Sequence, residues 1–163
     1  MTAVRAVLGA LPEVMFNAYT LNIHPCDDCK LCHARFACKH DDDMQTVLDA
    51  LKKADTLVLA TPVYFGAMTD MMMRIINRFQ QLFEAKFTHK KPFTTIKKLI
   101  VISTAASEDP SMFDGVRLTT RLLEELFSVE RVHTLLLGHT DMIKNVSQTY
   151  EREIEAFKNE IAH

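Results

Sequence analysis

The sequence has no surplus of positive charge: 19 Lys and Arg stand against 21 Asp and Glu, for a net charge of −2. No basic stripe alternates with aromatics either, so nothing is available to release counterions from a phosphate backbone, which argues against nucleic acid as a partner. No apolar run approaches the ~18 residues that span a bilayer, and the N-terminus lacks the basic, apolar and small-residue order of a signal peptide. These absences predict a cytoplasmic protein with reduced thiols and no membrane partner. Repeats, low-complexity tracts and linkers are also missing, so the 163 residues are expected to form a single domain, 1–163, with 48% hydrophobic residues to build its core. The seven histidines form no convergent set in the sequence, no side chain stands out as an acid or base, and no catalytic residue is assigned. Charge runs such as Glu108-Asp109 read as a solvated face.

Cysteine is confined to one loop, 24–40, as Cys26, Cys29, Cys32 and Cys38. The spacing C-x2-C-x2-C-x5-C suits three corners of a cuboidal iron–sulfur cluster closed by a ligand slightly farther along. It does not suit a disulfide framework, which ties distant segments together. Structural zinc usually takes two separated pairs, yet His24, His33 and His40 flank the loop and could complete a zinc site with two or three thiols. Unmetallated thiols or a redox disulfide form the third reading.

Helical and strand patterns take turns along the rest. Val4, Val7, Leu8 and Leu11 mark a helix, and Glu13 to Thr20 read as a short strand running into the cysteine loop. Asp41, Asp42 and Asp43 favour a helix start, followed by a stripe of Met44, Val47, Leu48 and Leu51. Thr56 to Ala60 is a continuous apolar strand, as expected of one covered on both faces. The longest helix is predicted next, from Met68, Met71, Met72, Ile75, Ile76, Phe79, Leu82 and Phe83, whose methionines read as core packing. Leu99 to Ser103 and Val132 to Leu137 are further strands. Between and after them lie a helix with Leu118, Leu122, Leu123, Leu126 and Phe127, and a terminal helix with Val146, Tyr150, Ile154, Phe157 and Ile161 inward. Such alternation specifies an α/β fold with a parallel sheet covered by helices on both faces.

Ligands of such sheets gather beyond the carboxyl ends of the strands, so the segments after each strand carry the functional expectation. Three segments are expected along that edge: the cysteine loop, Thr61-Pro62-Val63-Tyr64-Phe65-Gly66, and the loop from Ser103 through Thr104 and Ala105. The middle one combines a proline-fixed turn, two aromatics and a glycine that permits close backbone approach, which equips it for a flat heteroaromatic ring. The plainer reading, that Tyr64 and Phe65 only plug the end of the sheet, stays open on composition.

Asn22-Ile23-His24-Pro25-Cys26 with the cysteine spacing, the Asp42-Asp43-Met44 helix start, and Ala54-Asp55 followed by Thr61 to Gly66 resemble the iron–sulfur flavoproteins. These lie within the flavodoxin-like NAD(P)H-dependent FMN reductase superfamily. The resemblance covers essentially the whole chain. It implies a flavodoxin-like three-layer sandwich and a redox flavoprotein, either an oxidoreductase or an electron carrier, with NAD(P)H or a protein carrier as electron partner. It further implies FMN against Thr61, Pro62, Val63, Tyr64, Phe65 and Gly66, with Ser103, Thr104 and Ala105 on its other side. A [4Fe–4S] cluster on Cys26, Cys29, Cys32 and Cys38 is implied too, in a homodimer or homotetramer where a cluster approaches a neighbour's flavin. The alternative function is a flavin-free relative that keeps the cysteine loop for metal binding, oligomer assembly or redox sensing.

Family members open with a strand and a Ser/Thr/Gly-rich loop that holds the FMN phosphate. Before Val4 this sequence has only Met1-Thr2-Ala3, so four strands are expected, with the family's first strand missing. That strand is central, between 14–19 and 56–60, and its position is expected to be filled by upstream residues, by direct pairing of the flanking strands, or by another copy. Without two charge-assisted phosphate hydrogen bonds, at about 1.5–3 kcal/mol each, FMN would bind about a hundredfold to ten-thousandfold more weakly.

Overall fold

A computed structural model describes residues 4, 7–9, 12–35, 37–91 and 94–162 of the chain. Its sheet is built from β1 (Thr56–Tyr64), β2 (Ala67–Met68), β3 (Lys98–Thr104) and β4 (Arg131–Leu137), in the order β2-β1-β3-β4. β3 runs parallel to both neighbours, with Leu59 opposite Val101 and Val101 opposite Thr134, while β2 only folds back on the end of β1.

The period of two along β3 sorts its side chains into two cores. Leu99 and Val101 join Leu59, Leu48, Ile75 and Leu123 on one face. Ile100 and Ile102 join Leu135, Leu137, Ile154, Phe157 and Val7 on the other. Helices Met44–Leu51, Asp70–Arg78 and Asp114–Phe127 cover the first face, and Glu151–Ala162 the second. This is the flavodoxin-like α/β architecture. Fully burying a side chain such as Leu99 stabilises the fold by about 1.5–3 kcal/mol, which is why the strand reads as a near-continuous apolar run. No helix among the described residues is long and apolar enough to cross a membrane.

Several expectations are corrected. Glu13–Thr20 is not a strand. Phe16 and Ala18 turn inward against the core, but no described strand lies beside them, and Asn17 draws the backbone into a local turn by accepting from Tyr19 N at 3.1 Å and Thr20 N at 3.0 Å. The fourth strand is instead β2, and β1 continues past Ala60 to Tyr64, with Ala60 itself exposed. The helix predicted over 68–83 is interrupted: Met68 belongs to β2, Thr69 caps Asp70–Arg78 by accepting from Met72 N, and after Phe79 come Gln80–Phe83 and a π-helical turn, Glu84–Thr88. The longest described helix is Asp114–Phe127, of 14 residues. Its inward stripe is Val116, Thr120, Leu123 and Phe127, so Leu118 and Leu122 face out; Thr120 can point inward because its hydroxyl donates to Val116 O at 2.8 Å.

The helix Met44–Leu51 stands as expected, while the terminal one is divided at Tyr150 into Val146–Thr149 and Glu151–Ala162, the second of which places Ile154 and Phe157 in the core. Val4, Val7 and Leu8 are helical, while Leu11 lies outside the described residues. A further correction concerns the edge. The cysteine loop does not lie with the other two segments at the carboxyl end of the strands. It docks along the flank of the helix that follows β2, as described next.

Candidate functional site

At the carboxyl end of β1, Tyr64 pairs with Ala67 across a two-residue turn whose φ angles are 52° at Phe65 and 77° at Gly66. Two positive φ angles define a type I′ turn, which fits the twist of the flanking strands and suits glycine at its second position. The Phe65 side chain is fully exposed and Tyr64 largely so. Buried hydroxyls clamp the base of this hairpin: Ser103 Oγ donates to Thr61 O at 2.9 Å, and Thr69 N donates to Thr61 Oγ1 at 3.3 Å. The hairpin also rests on the first turn of the 114–127 helix, where a Cβ at Gly115 would lie 2.3 Å from the Gly66 carbonyl oxygen.

The nine residues expected around a flat ring therefore divide. Pro62, Tyr64, Phe65, Gly66 and Thr104 offer accessible surface. Thr61, Val63, Ser103 and Ala105 are buried and act through packing and backbone; the Ala105 carbonyl, for one, accepts from Thr140 Oγ1 at 3.1 Å.

The second element is a concavity lined by Cys26, Cys29, Cys32 and Cys38 together with Arg78 and Glu84. All four thiols are free; Cys26 and Cys29 are exposed, Cys32 and Cys38 half-buried. Between the cysteines, Asp28 and Lys30 adopt positive φ of 55° and 59°, a conformation that costs a non-glycine residue about 1–2 kcal/mol and bends the loop tightly. Cys32 sits on the short helix Leu31–Arg35. Its carbonyl accepts from His89 Nε2 at 3.1 Å, and the neighbouring His33 Nδ1 lies 2.9 Å from Glu84 Oε2.

Both ends of the loop are tied to the protein. Asn22 N donates to Asp43 at 2.7 Å and His24 N to Asp42 at 2.9 Å. Arg78, only 4% exposed, donates to the His24 carbonyl at 2.8 Å and to both oxygens of Asp42 at 2.6 and 3.2 Å. The His24 and His40 rings stack with centroids 3.9 Å apart, and Lys39 pairs with Asp27 across the loop.

Electrostatics follow from these contacts. Burial pushes the Cys32 thiol up, and the Glu84 charge adds to it. Burial also works against the charges of Asp42 and Arg78, but their mutual hydrogen bonds prevail, so the carboxyl is held below its ordinary range and the guanidinium above its own. The hydrogen bond from Thr88 is the largest influence on Glu84, which is held low despite its burial, with His33 and Gln80 assisting.

No group of three or more His, Cys, Asp or Glu among the described residues converges as the ligands of a metal ion would. The donor set nevertheless suits a cluster. Four soft thiols share one concavity, and soft thiolates are what iron–sulfur clusters and zinc select. The concavity lies well away from the hairpin: from Thr69, beside β2, to Arg78 the helix rises about 14 Å at 1.5 Å per residue.

Arg78 and Glu84 have no place among the sequence expectations. Asp42 drew notice only as a charge at a helix start. The available signal was Arg78 itself, a charged residue at a core-facing position between Ile75 and Leu82, where an apolar side chain is the norm.

The sequence profile described as NADPH-dependent FMN reductase matches residues 2–137. An iron-sulfur flavoprotein of Methanocaldococcus jannaschii is 29% identical over 84 residues, 48% of this chain and 44% of that protein. One from Archaeoglobus fulgidus is 34% identical over 65 residues, 40% of this chain and 33% of that one. The matched stretches thus span less than half of these relatives. Among solved structures, an FMN-dependent NADH-azoreductase from Bacillus anthracis, in complex with FMN, superposes with a TM-score of 0.66 at 13% identity, covering 99% of this chain and 89% of that one; at that identity it shows the fold alone.

Proposed function

The chain belongs to the NADPH-dependent FMN reductase family, and from that premise we propose that it is a redox flavoprotein passing electrons between a two-electron donor, FMN and a [4Fe–4S] cluster. The observation that carries this reading is that the only four cysteines of the chain line one concavity on a fold of flavin reductases. FMN, when bound, exchanges electrons in pairs or singly, and a cluster passes them one at a time.

The chain's own residues supply placement. Pro62, Tyr64, Phe65 and Gly66 would present the flat face for the ring, with Thr61 and Ser103 holding the hairpin in position and Thr104 and Ala105 bounding the other side. Cys26, Cys29, Cys32 and Cys38 would hold the cluster. The concavity lies about 14 Å along a helix from the hairpin, and the assembly expected is a homodimer or homotetramer that would set one chain's loop beside another's hairpin. NAD(P)H or a protein electron carrier would be the partner in solution. A flavin-free protein using the loop for metal binding, oligomer assembly or redox sensing would differ by retaining no FMN.

Gly66 gives the test. A Cβ there meets no protein atom within 4 Å, so a valine would project its methyl groups into the open face where the ring is placed, besides straining a positive φ. Titrating FMN and following the quenching of its fluorescence, the wild type is expected to bind and Gly66→Val to bind at least about tenfold more weakly, a loss of 1.4 kcal/mol or more. Equal affinities would remove the hairpin from the flavin site.

A further inference from the structure

Every cysteine of the chain lies between His24 and Asp42, and one buried side chain grips both of those residues. Arg78 holds the carbonyl of the first and the carboxylate of the second and also lines the concavity shared by the four thiols. The planar fork of an arginine holds its donors in preset directions toward both groups, whereas a lysine in its place would bring the charge on a rotating ammonium without that fixed geometry. Cys38 lines that same concavity. The charge of the guanidinium is shielded from water by burial and faces the one place in the structure where negative sulfur would gather.

We propose that Arg78 is a positioning residue for the thiolate cluster: its fork draws the neck of the cysteine loop closed, and its fixed positive charge favours the reduced, more negative state of the cluster. The proposal rests on the reading of the four thiols as cluster ligands. Net charge and hydrogen bonding around the sulfurs are levers that set the potential of such clusters, and a buried cation acts through less screening than a surface one.

Two measurements separate the roles. In the iron-free protein, Lys30, Arg35 and Lys39 present exposed side chains to trypsin, and the cleavage rate there follows how readily the loop backbone opens locally. Arg78→Gln is expected to raise cleavage within 25–41 severalfold, and Arg78→Lys to raise it as well, because the fork is lost in both. In reconstituted protein, a redox titration followed by electron paramagnetic resonance should place Arg78→Gln below the wild type in potential, with Arg78→Lys close to the wild type because the charge is restored. A merely structural arginine would not give that rescue. Should Arg78→Gln fail to fold around an unpaired Asp42, the double variant Asp42→Asn with Arg78→Gln leaves no charge buried alone and is expected to fold; because it loses a positive and a negative charge together, it is compared with Asp42→Asn, which keeps the guanidinium, and should titrate below it.

Cleavage of Arg78→Gln at the wild-type rate would overturn the tether, and a potential of Arg78→Gln equal to the wild type, or of the double variant equal to Asp42→Asn, would overturn the electrostatic role. If the wild type takes up no iron at all, the cluster reading itself falls. Trypsin then decides the tether alone: faster cleavage of Arg78→Gln supports it, and equal cleavage overturns it.

Discussion

Replacing Cys29 with serine is expected to strip most of the iron from anaerobically reconstituted protein while leaving its thermal unfolding in place. Cys29 is exposed, and it lies in an irregular stretch between two left-handed residues, Asp28 and Lys30. Serine fills the same volume there and disturbs no core, so stability should hold within the roughly 0.5 kcal/mol typical of surface substitutions. The chemistry changes completely. A serine hydroxyl is a hard, weakly acidic donor where iron in a sulfur cluster selects a soft thiolate. Iron per chain, assayed after desalting, should fall to a small fraction of the wild-type value, with the melting curve by circular dichroism superimposable. Unchanged iron would refute the ligand assignment.

Asp42→Ala should give the largest loss of stability. The carboxylate accepts from Arg78, from His24 N and from Met44 N, and its removal leaves a guanidinium, 4% exposed, without its counter-charge. Breaking a buried pair in this way costs about 3–5 kcal/mol, equivalent to about 6–20 °C in melting temperature for a chain of this size. The pair also sets an acid limb. The folded-state value of Asp42 is held below its ordinary range because the Arg78 hydrogen bonds and the two backbone donors outweigh burial. Its stabilisation is therefore fully present above the ordinary aspartate value of about 3.9 and is lost as pH falls through the depressed folded value. Urea melts across pH should show the stability gap between wild type and Asp42→Asn narrowing below about pH 4; a constant gap would show that Asp42 carries no such linkage.

The sheet was legible because its strands obey simple rules. Lys98–Thr104 is a buried run at the centre, and Thr56–Tyr64 and Arg131–Leu137 repeat the pattern at intervals filled by helices. The misreadings have particular causes. Phe16 and Ala18 alternate as a strand would, but alternation shows which side chains turn inward, not whether a backbone partner is present. Met68 has the right spacing for the following helix, and only the Thr69 cap and the Phe65–Gly66 turn assign it to a strand. Thr120 looks like an outward residue until its hydroxyl is seen bonded to its own helix.

The candidate site was half legible. Local spacing pointed to the cysteines, and Pro62 to Gly66 declared a turn. Arg78 and Glu84 are separated from the thiols by dozens of residues, and long-range charge pairs leave no periodic trace in a sequence. The placement of the loop on a helix flank instead of the sheet edge is likewise a tertiary property, set by where His24 and Asp42 meet Arg78.

The most direct measurement is the absorption spectrum of the wild-type protein purified without oxygen, read with its flavin and iron contents. Flavin bands lying over a broad iron–sulfur absorption, with both bleached on adding a reductant, is the predicted result. A colourless protein containing neither flavin nor iron, after reconstitution with both, would contradict it.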